Sequence, residues 1–385
     1  ELQRRLDGVR HRLNGLCRVD YQSVRREKTA LLREAFQRAD GVPLRAQLRQ
    51  FAAENPWLDE YVLYRTIKET QGYRSWEDWG STFASDDARR EFANAHADDM
   101  AFHAWSQWVL ERQFTEARAY ANAQGILIEG DVPILVSRDS ADCWHHPDLF
   151  HMDCSAGAPP DLYAANGQNW GFPTYDWDAL RRRDYDWWRR RLRQAAKFFD
   201  LYRIDHVVGF FRIWTLVSGQ KDGRDGRFVP EDEAVWEEHG RTLLRMMVES
   251  CDMLPLAEDL GTVPPVARKV LAEMGICGLK VQRWERRWNE DRSFIDPSLW
   301  SPLSVATLST HDSETLAGWW EVSPEDREVL AHTLGWEGAV PETLNADLQR
   351  AIISYVLRAK SRFIILAMQD LLSPLGLLPG TPSEH

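Results

Sequence analysis

A chain of 385 residues, 44% of them hydrophobic, is long enough for one large α/β domain or two or three smaller ones, and its apolar content excludes disorder as the overall state. Against 47 basic side chains stand 59 acidic ones, a formal charge of -12, which excludes nucleic acid as the main ligand because phosphate neutralisation needs clustered Lys and Arg. No run approaches the ~18–20 apolar residues of a membrane span, and the five cysteines show no CxxC or metal-ligand spacing, so the reading is a cytoplasmic protein with no membrane partner, no metal and no cofactor.

Residues from about 21 to 123 carry helical periodicity, and the pattern predicts one long helix from Asp86 to Asn122, where Ala93, Ala97, Ala101, Trp105 and Trp108 recur. The glycine-bounded apolar run Gly125–Gly130 then predicts a buried parallel strand. Residues 137–180 are rich in Asp, Pro, Gly, Trp and Asn without periodicity, and a loop of that length inside a compact protein is usually functional. Beyond it, strand and helix alternate. Helix is expected over Trp187–Phe199, Asp232–Ser250 and Pro264–Met274, and strand over Leu201–Asp205, Leu254–Ala257, Leu279–Val281 and Val305–Ser309. Helices at Glu314–Trp320, Pro324–Thr333 and Thr343–Arg358 precede a last strand at Phe363–Ala367. Repeated strand and helix imply a parallel sheet.

Three of these strands run into acids: Arg203-Ile-Asp205-His206, Leu256-Ala-Glu258-Asp259-Leu-Gly261 and Ser309-Thr-His311-Asp312. In a (β/α) barrel the C-terminal strand ends converge on one face, so such acids can meet around one substrate. Retaining glycosyl transfer needs that: one carboxylate as nucleophile and a carboxylic acid about 5 to 5.5 Å away as proton donor. Singly, each acid is as readily a helix cap, and the argument rests on the three together. Arg203 shares a strand face with Asp205 and suits either a catalytic partner or a structural ion pair.

The strings Tyr202-Arg-Ile-Asp-His206-Val-Val-Gly-Phe-Phe-Arg-Ile-Trp214, Ala257-Glu-Asp-Leu-Gly261 and Ser309-Thr-His-Asp312 resemble the active-site motifs of the 4-α-glucanotransferases, the amylomaltase or disproportionating-enzyme family. Gly130-Asp-Val-Pro-Ile134, Asp139-Ser-Ala-Asp142, Gly157-Ala-Pro-Pro-Asp161 and Gly167-Gln-Asn-Trp-Gly171 follow the family's order, so the resemblance covers roughly residues 95 to 370. Gly278-Leu-Lys-Val-Gln-Arg283 and Trp319-Trp-Glu321 are most similar to the plant cytosolic disproportionating-enzyme-like subgroup, with Phe172 as a departure.

The resemblance implies an α/β fold built on a (β/α)8 TIM barrel. It assigns residues 1–95 to a helical insertion subdomain and 96–385 to the catalytic barrel portion, with a substrate-covering loop at 137–180. It implies Asp205 as the nucleophile, Glu258 as the general acid/base and Asp312 as the transition-state stabiliser, with Arg203 and His311 completing the pocket. Asp161, Gln168 and Trp170 then belong to an acceptor-side loop and Asp131 to a neighbouring strand end. His206 stands between sugar contact and structural support, while Trp214, Phe210 and Phe211 read as core. The expected partner is a maltooligosaccharide or a glycogen-like glucan. Against the family pattern the chain reads as truncated at both ends, which leaves an α-glucan hydrolase and a non-catalytic glucan-binding fragment as alternatives.

Overall fold

The computed structural model describes residues 2–16, 18–161 and 164–372. The chain divides into two compact units, one of residues 1–128, 135–187 and 215–226, the other of residues 129–134, 188–214 and 227 onward. Among the described residues no helix is long and apolar enough to cross a membrane.

The first unit is mainly helical. Helices Leu2–Asn14, Tyr21–Ala39, Val42–Glu54 and Trp57–Thr70 come first, the second capped by Asp20, whose side chain accepts the Ser23 N–H. The single helix expected over 86–122 is two, Asp86–Ala95 and Ala97–Ala123, because His96 closes the first by donating its N–H to Phe92 while its ring stacks on the Phe92 ring at 4.2 Å. Phe36, Leu44, Leu48, Phe102 and Trp105 form one packed cluster, and Tyr64, Ile67, Trp79 and Phe83 another.

The strand expected at Gly125–Gly130 starts later, at Glu129. Gly125 at φ 76 ends the helix, the Ile126 N–H donates back to Ala121, and Asn122 holds the Ile126 carbonyl, leaving Ile126 and Leu127 exposed. Such a glycine cap spends the next residue's hydrogen bonds on the helix end.

The long loop carries structure of its own: a short helix Ala141–His145, strand Phe150–His151 paired with Thr174–Tyr175, and strand Cys154–Ala158 paired with Gln168–Asn169. Its Asp139 accepts from the Tyr64 hydroxyl at 2.8 Å and pairs with the nearly buried Lys68, and its Asp142 accepts the Trp187 indole N–H at 2.9 Å. These motif acids tie the loop to the helices around it.

Among the described residues the second unit is built on six parallel strands: β1 (Glu129–Val132), β2 (Leu201–Ile204), β3 (Leu254–Ala257), β4 (Cys277–Val281), β5 (Ser304–Thr307) and β6 (Phe363–Ile364). They pair in chain order, each beside the next. Helices Trp236–Ser250, Pro265–Glu273, Leu316–Val322, Pro324–Thr333 and Ala346–Val356 fall between them in sequence. Leu201, Leu256, Cys277 and Val305, one from each of β2 to β5, form one apolar layer, as inward-facing side chains of a barrel do. A second layer joins Trp319, Trp320, Leu348 and Ile352 to Ala306 and Leu308.

Candidate active site

Because β1 to β6 run parallel, their C-terminal ends lie along one edge of the sheet. Asp131 sits on β1 opposite Arg203 of β2, Asp205 follows β2, Glu258 follows β3, and His311 and Asp312 lie in the turn beyond β5. Asp205, Glu258 and Asp312 each lie beyond a largely buried strand, whereas β1 is exposed at Glu129 and at Asp131 itself.

Arg203 is the hub. Its Nη1 donates to both Asp131 carboxylate oxygens at 2.9 Å and stands 3.2 Å from Asp205 Oδ1, while Nη2 donates to Glu258 Oε2 at 2.9 Å. Burial works against its charge, but Glu258, Asp131 and Asp205 outweigh that and hold its pKa above the ordinary value. The planar guanidinium holds its donors in a rigid fork that fixes the angles to several carboxylates, whereas an ammonium group offers three rotatable donors on one point charge.

Two backbone donors complete the arrangement. Ile134 N–H donates to Asp205 Oδ2 at 3.2 Å, and His206 N–H to Glu258 Oε2 at 2.8 Å. Asp205 and Glu258 are linked through the Arg203 guanidinium, which stands 3.2 Å from Asp205 Oδ1 and 2.9 Å from Glu258 Oε2. Burial pushes the Glu258 carboxyl up to about 7; Arg203 and the His206 N–H pull it down, and the Asp205 charge adds to the rise. A carboxyl poised near neutrality can give and take a proton at working pH.

His206 adopts φ 42 and ψ 54, the left-handed region, and so turns its N–H toward Glu258. Burial holds its imidazole down to about 4, against the pull of Asp205, so the ring is neutral at pH 7. Phe210 and Phe211 are fully buried, and Trp214 packs edge-on against Phe228 at 4.9 Å.

The turn holding Asp312 is more open. His311 and Asp312 form an exposed pair at 3.2 Å, and the Asp312 N–H donates to Thr310 Oγ1. Asp161, Gln168 and Trp170 belong to the first unit: Asp161 accepts the Ala164 N–H at 2.6 Å, and the Trp170 indole donates to Gln168 Oε1 at 2.8 Å. Residue types did not announce the backbone donors at 134 and 206, since every residue but proline carries an N–H. Only the left-handed turn distinguishes one of them.

The profile of the Glyco_hydro_77 family, 4-alpha-glucanotransferase, matches residues 1–384. This chain belongs to that family. A 4-alpha-glucanotransferase of Chlamydia pneumoniae is 36% identical over 97% of this chain and 70% of its own length. The plant 4-alpha-glucanotransferase DPE2 of Oryza sativa subsp. japonica is 27% identical over 92% of this chain. The chain spans 61% to 70% of the length of the Chlamydia relatives it matches.

Among solved structures, the amylomaltase of Streptococcus agalactiae, in complex with acarbose, superposes with a TM-score of 0.81 and 26% identity over 97% of this chain and 77% of that one. The α/β barrel architecture is therefore borne out. The family match also takes in the helical first part, which the motifs did not reach.

Proposed function

We propose that this 4-α-glucanotransferase family member moves α-1,4-glucan units by a retaining, two-step transfer, with Asp205 as the nucleophile and Glu258 as the acid/base. The observation that carries the assignment is Arg203, whose single guanidinium pairs with both carboxylates while Glu258 sits near neutrality.

In the first step Asp205 attacks the anomeric carbon, the glycosidic C–O bond breaks, and Glu258 gives its proton to the departing oxygen. Arg203 and the Ile134 N–H orient Asp205 for that attack. In the second step Glu258, now a carboxylate, takes the proton from an acceptor 4-hydroxyl, whose oxygen attacks the anomeric carbon and releases Asp205. The two carboxyl groups of retaining enzymes stand ~5 to 5.5 Å apart, a separation that leaves the anomeric carbon and the glycosidic oxygen between them.

Asp312, with His311 beside it, is assigned to gripping sugar hydroxyls in the transition state, and their exposure suits that task. Asp131 supports Arg203, and His206 offers its backbone N–H to Glu258. Asp161, Gln168 and Trp170 are assigned to the acceptor-side loop. Residues 1–95 are taken as an insertion subdomain and 96–385 as the barrel portion. Donor and acceptor are maltooligosaccharides or a glycogen-like glucan, as family membership suggests.

Incubation with maltotriose and separation of products tests the reading. Transfer gives glucose together with maltodextrins longer than the substrate; hydrolysis gives glucose and maltose alone. Asp205→Asn should abolish both, and turnover equal to that of the unaltered chain would sink the assignment.

A further inference from the structure

Asp259 is a motif carboxylate to which the mechanism above gives no task. It follows Glu258 directly, only 10% of its side chain is exposed, and burial raises its pKa above the usual carboxylate range. A buried carboxylate is costly unless its bonds are made. Its Oδ1 accepts the Leu279 N–H at 2.7 Å, and Arg268 stands 3.9 Å from Oδ2.

The pairing of β3 with β4 explains what this bond does. β2–β3 and β4–β5 each register four residue pairs, but β3–β4 registers two, Leu256 with Cys277 and Ala257 with Gly278. Leu279 is the next residue of β4, and its N–H goes to the Asp259 side chain instead of to β3. The carboxylate therefore continues a ladder that the backbone has abandoned. It lies against Gly278, where a Cβ would come within 2.7 and 2.8 Å of its two oxygens. On the opposite side, the Glu258 N–H donates to Ile204 O at 3.0 Å and its carbonyl accepts the Val207 N–H at 3.2 Å.

We propose that Asp259 is the positioning residue for Glu258: its bond to the Leu279 N–H, across the bare Cα of Gly278, fixes the strand end from which Glu258 reaches the glycosidic oxygen. The inference rests on Glu258 being the acid/base. Asp259 acts through its neighbour and touches no reacting atom.

Maltotriose disproportionation by the full chain and its variants tests it. Asp259→Ala should lower kcat by ~10- to 100-fold, with KM moved less than about threefold, because a small misplacement of a catalytic group costs that much. Asp259→Asn keeps an acceptor oxygen for Leu279 and should stay within about threefold of the unaltered kcat. Gly278→Ala should imitate Asp259→Ala, and the double variant should be no worse than Asp259→Ala alone, since the colliding carboxylate is gone. A carbon-13 titration of the Glu258 carboxyl gives a readout free of turnover: in Asp259→Ala its midpoint should fall from near 7 toward the ordinary value as the group leaves its buried place.

Unaltered kcat or an unmoved Glu258 titration in Asp259→Ala overturns the proposal, as does Asp259→Asn being equally impaired. Should Asp259→Ala fail to fold, Gly278→Ala decides, and its unaltered titration overturns the idea. Glu258→Gln separates the two levels: if it turns over normally the acid/base assignment fails, whereas if it is inactive while Asp259→Ala is fully active only the positioning role fails.

Discussion

The His206 N–H donates to Glu258 Oε2 at 2.8 Å from a left-handed backbone, φ 42, that L-residues with side chains adopt at a cost. Strain here is coupled to the site, because relaxing this turn would withdraw a donor from the proposed acid/base.

The first expected outcome concerns that turn. Glycine adopts positive φ without penalty, so His206→Gly should be more stable than His206→Ala by about 1 kcal/mol, although glycine is the more flexible residue when unfolded. Urea unfolding of the two variants measures the difference. Equal stabilities, or alanine ahead, would remove the strain argument.

Protonation of Glu258 sets the pH profile. With its carboxyl near 7, kcat/KM should fall above an apparent value close to 7, reported by the Asp205–Glu258 pair as a unit. Arg203 lowers the Glu258 value, so Arg203→Met should move that limb to higher pH and cut turnover sharply. Arg203→Lys keeps the charge but loses the fork, so the limb should move less while kcat still drops by ~100-fold. A limb that stays put in Arg203→Met contradicts the electrostatic account.

Stability should follow the same group with a defined sign. A folded-state value of about 7 against an ordinary 4.5 means that the folded protein keeps a proton the unfolded chain has released. Stability is therefore lost as pH climbs from about 4.5 to 7, by about 3 kcal/mol at most for this group. Glu258→Gln cannot titrate, so its stability relative to the parent should improve between pH 5 and pH 8. Thermal melts at both values test this, and a constant difference would refute it.

Gly240 makes an opposite demand on intuition. It lies inside the helix Trp236–Ser250, where alanine ordinarily gains up to about 1 kcal/mol. Here a Cβ would sit 2.3 Å from the buried Phe211 ring, so Gly240→Ala should destabilise by ~1–3 kcal/mol. Denaturant unfolding gives the sign directly.

Much of the second unit was legible beforehand. The strands around 201–204, 254–257 and 305–307 were readable because largely buried parallel strands are near-continuous apolar runs, and the acids beyond them stood out; the strand around 279–281, half-buried and without such an acid, was readable from its place in the strand–helix alternation. The helix pair meeting at His96 and the late start of β1 were not. Apolar periodicity runs straight through Ala93, Ala97 and Ala101, whereas the helix break is a backbone turn at His96, φ -116 and ψ 27, which the side-chain pattern does not mark. Ile126 and Leu127 look like strand interior until the glycine cap before them has claimed the next hydrogen bonds.

By itself the sequence determined which side chains are available and on which strands they end: Asp205, Glu258 and Asp312 as the acids, Arg203 two residues before the first of them. Tertiary structure decided that Asp131 stands opposite Arg203, that Ile134 and His206 lend their backbone N–H groups, and that Asp259 reaches across to Leu279. The physical reason is that residue identity sets local preference and charge, whereas a main-chain donor is the same at nearly every position and gains meaning only when strand register aims it.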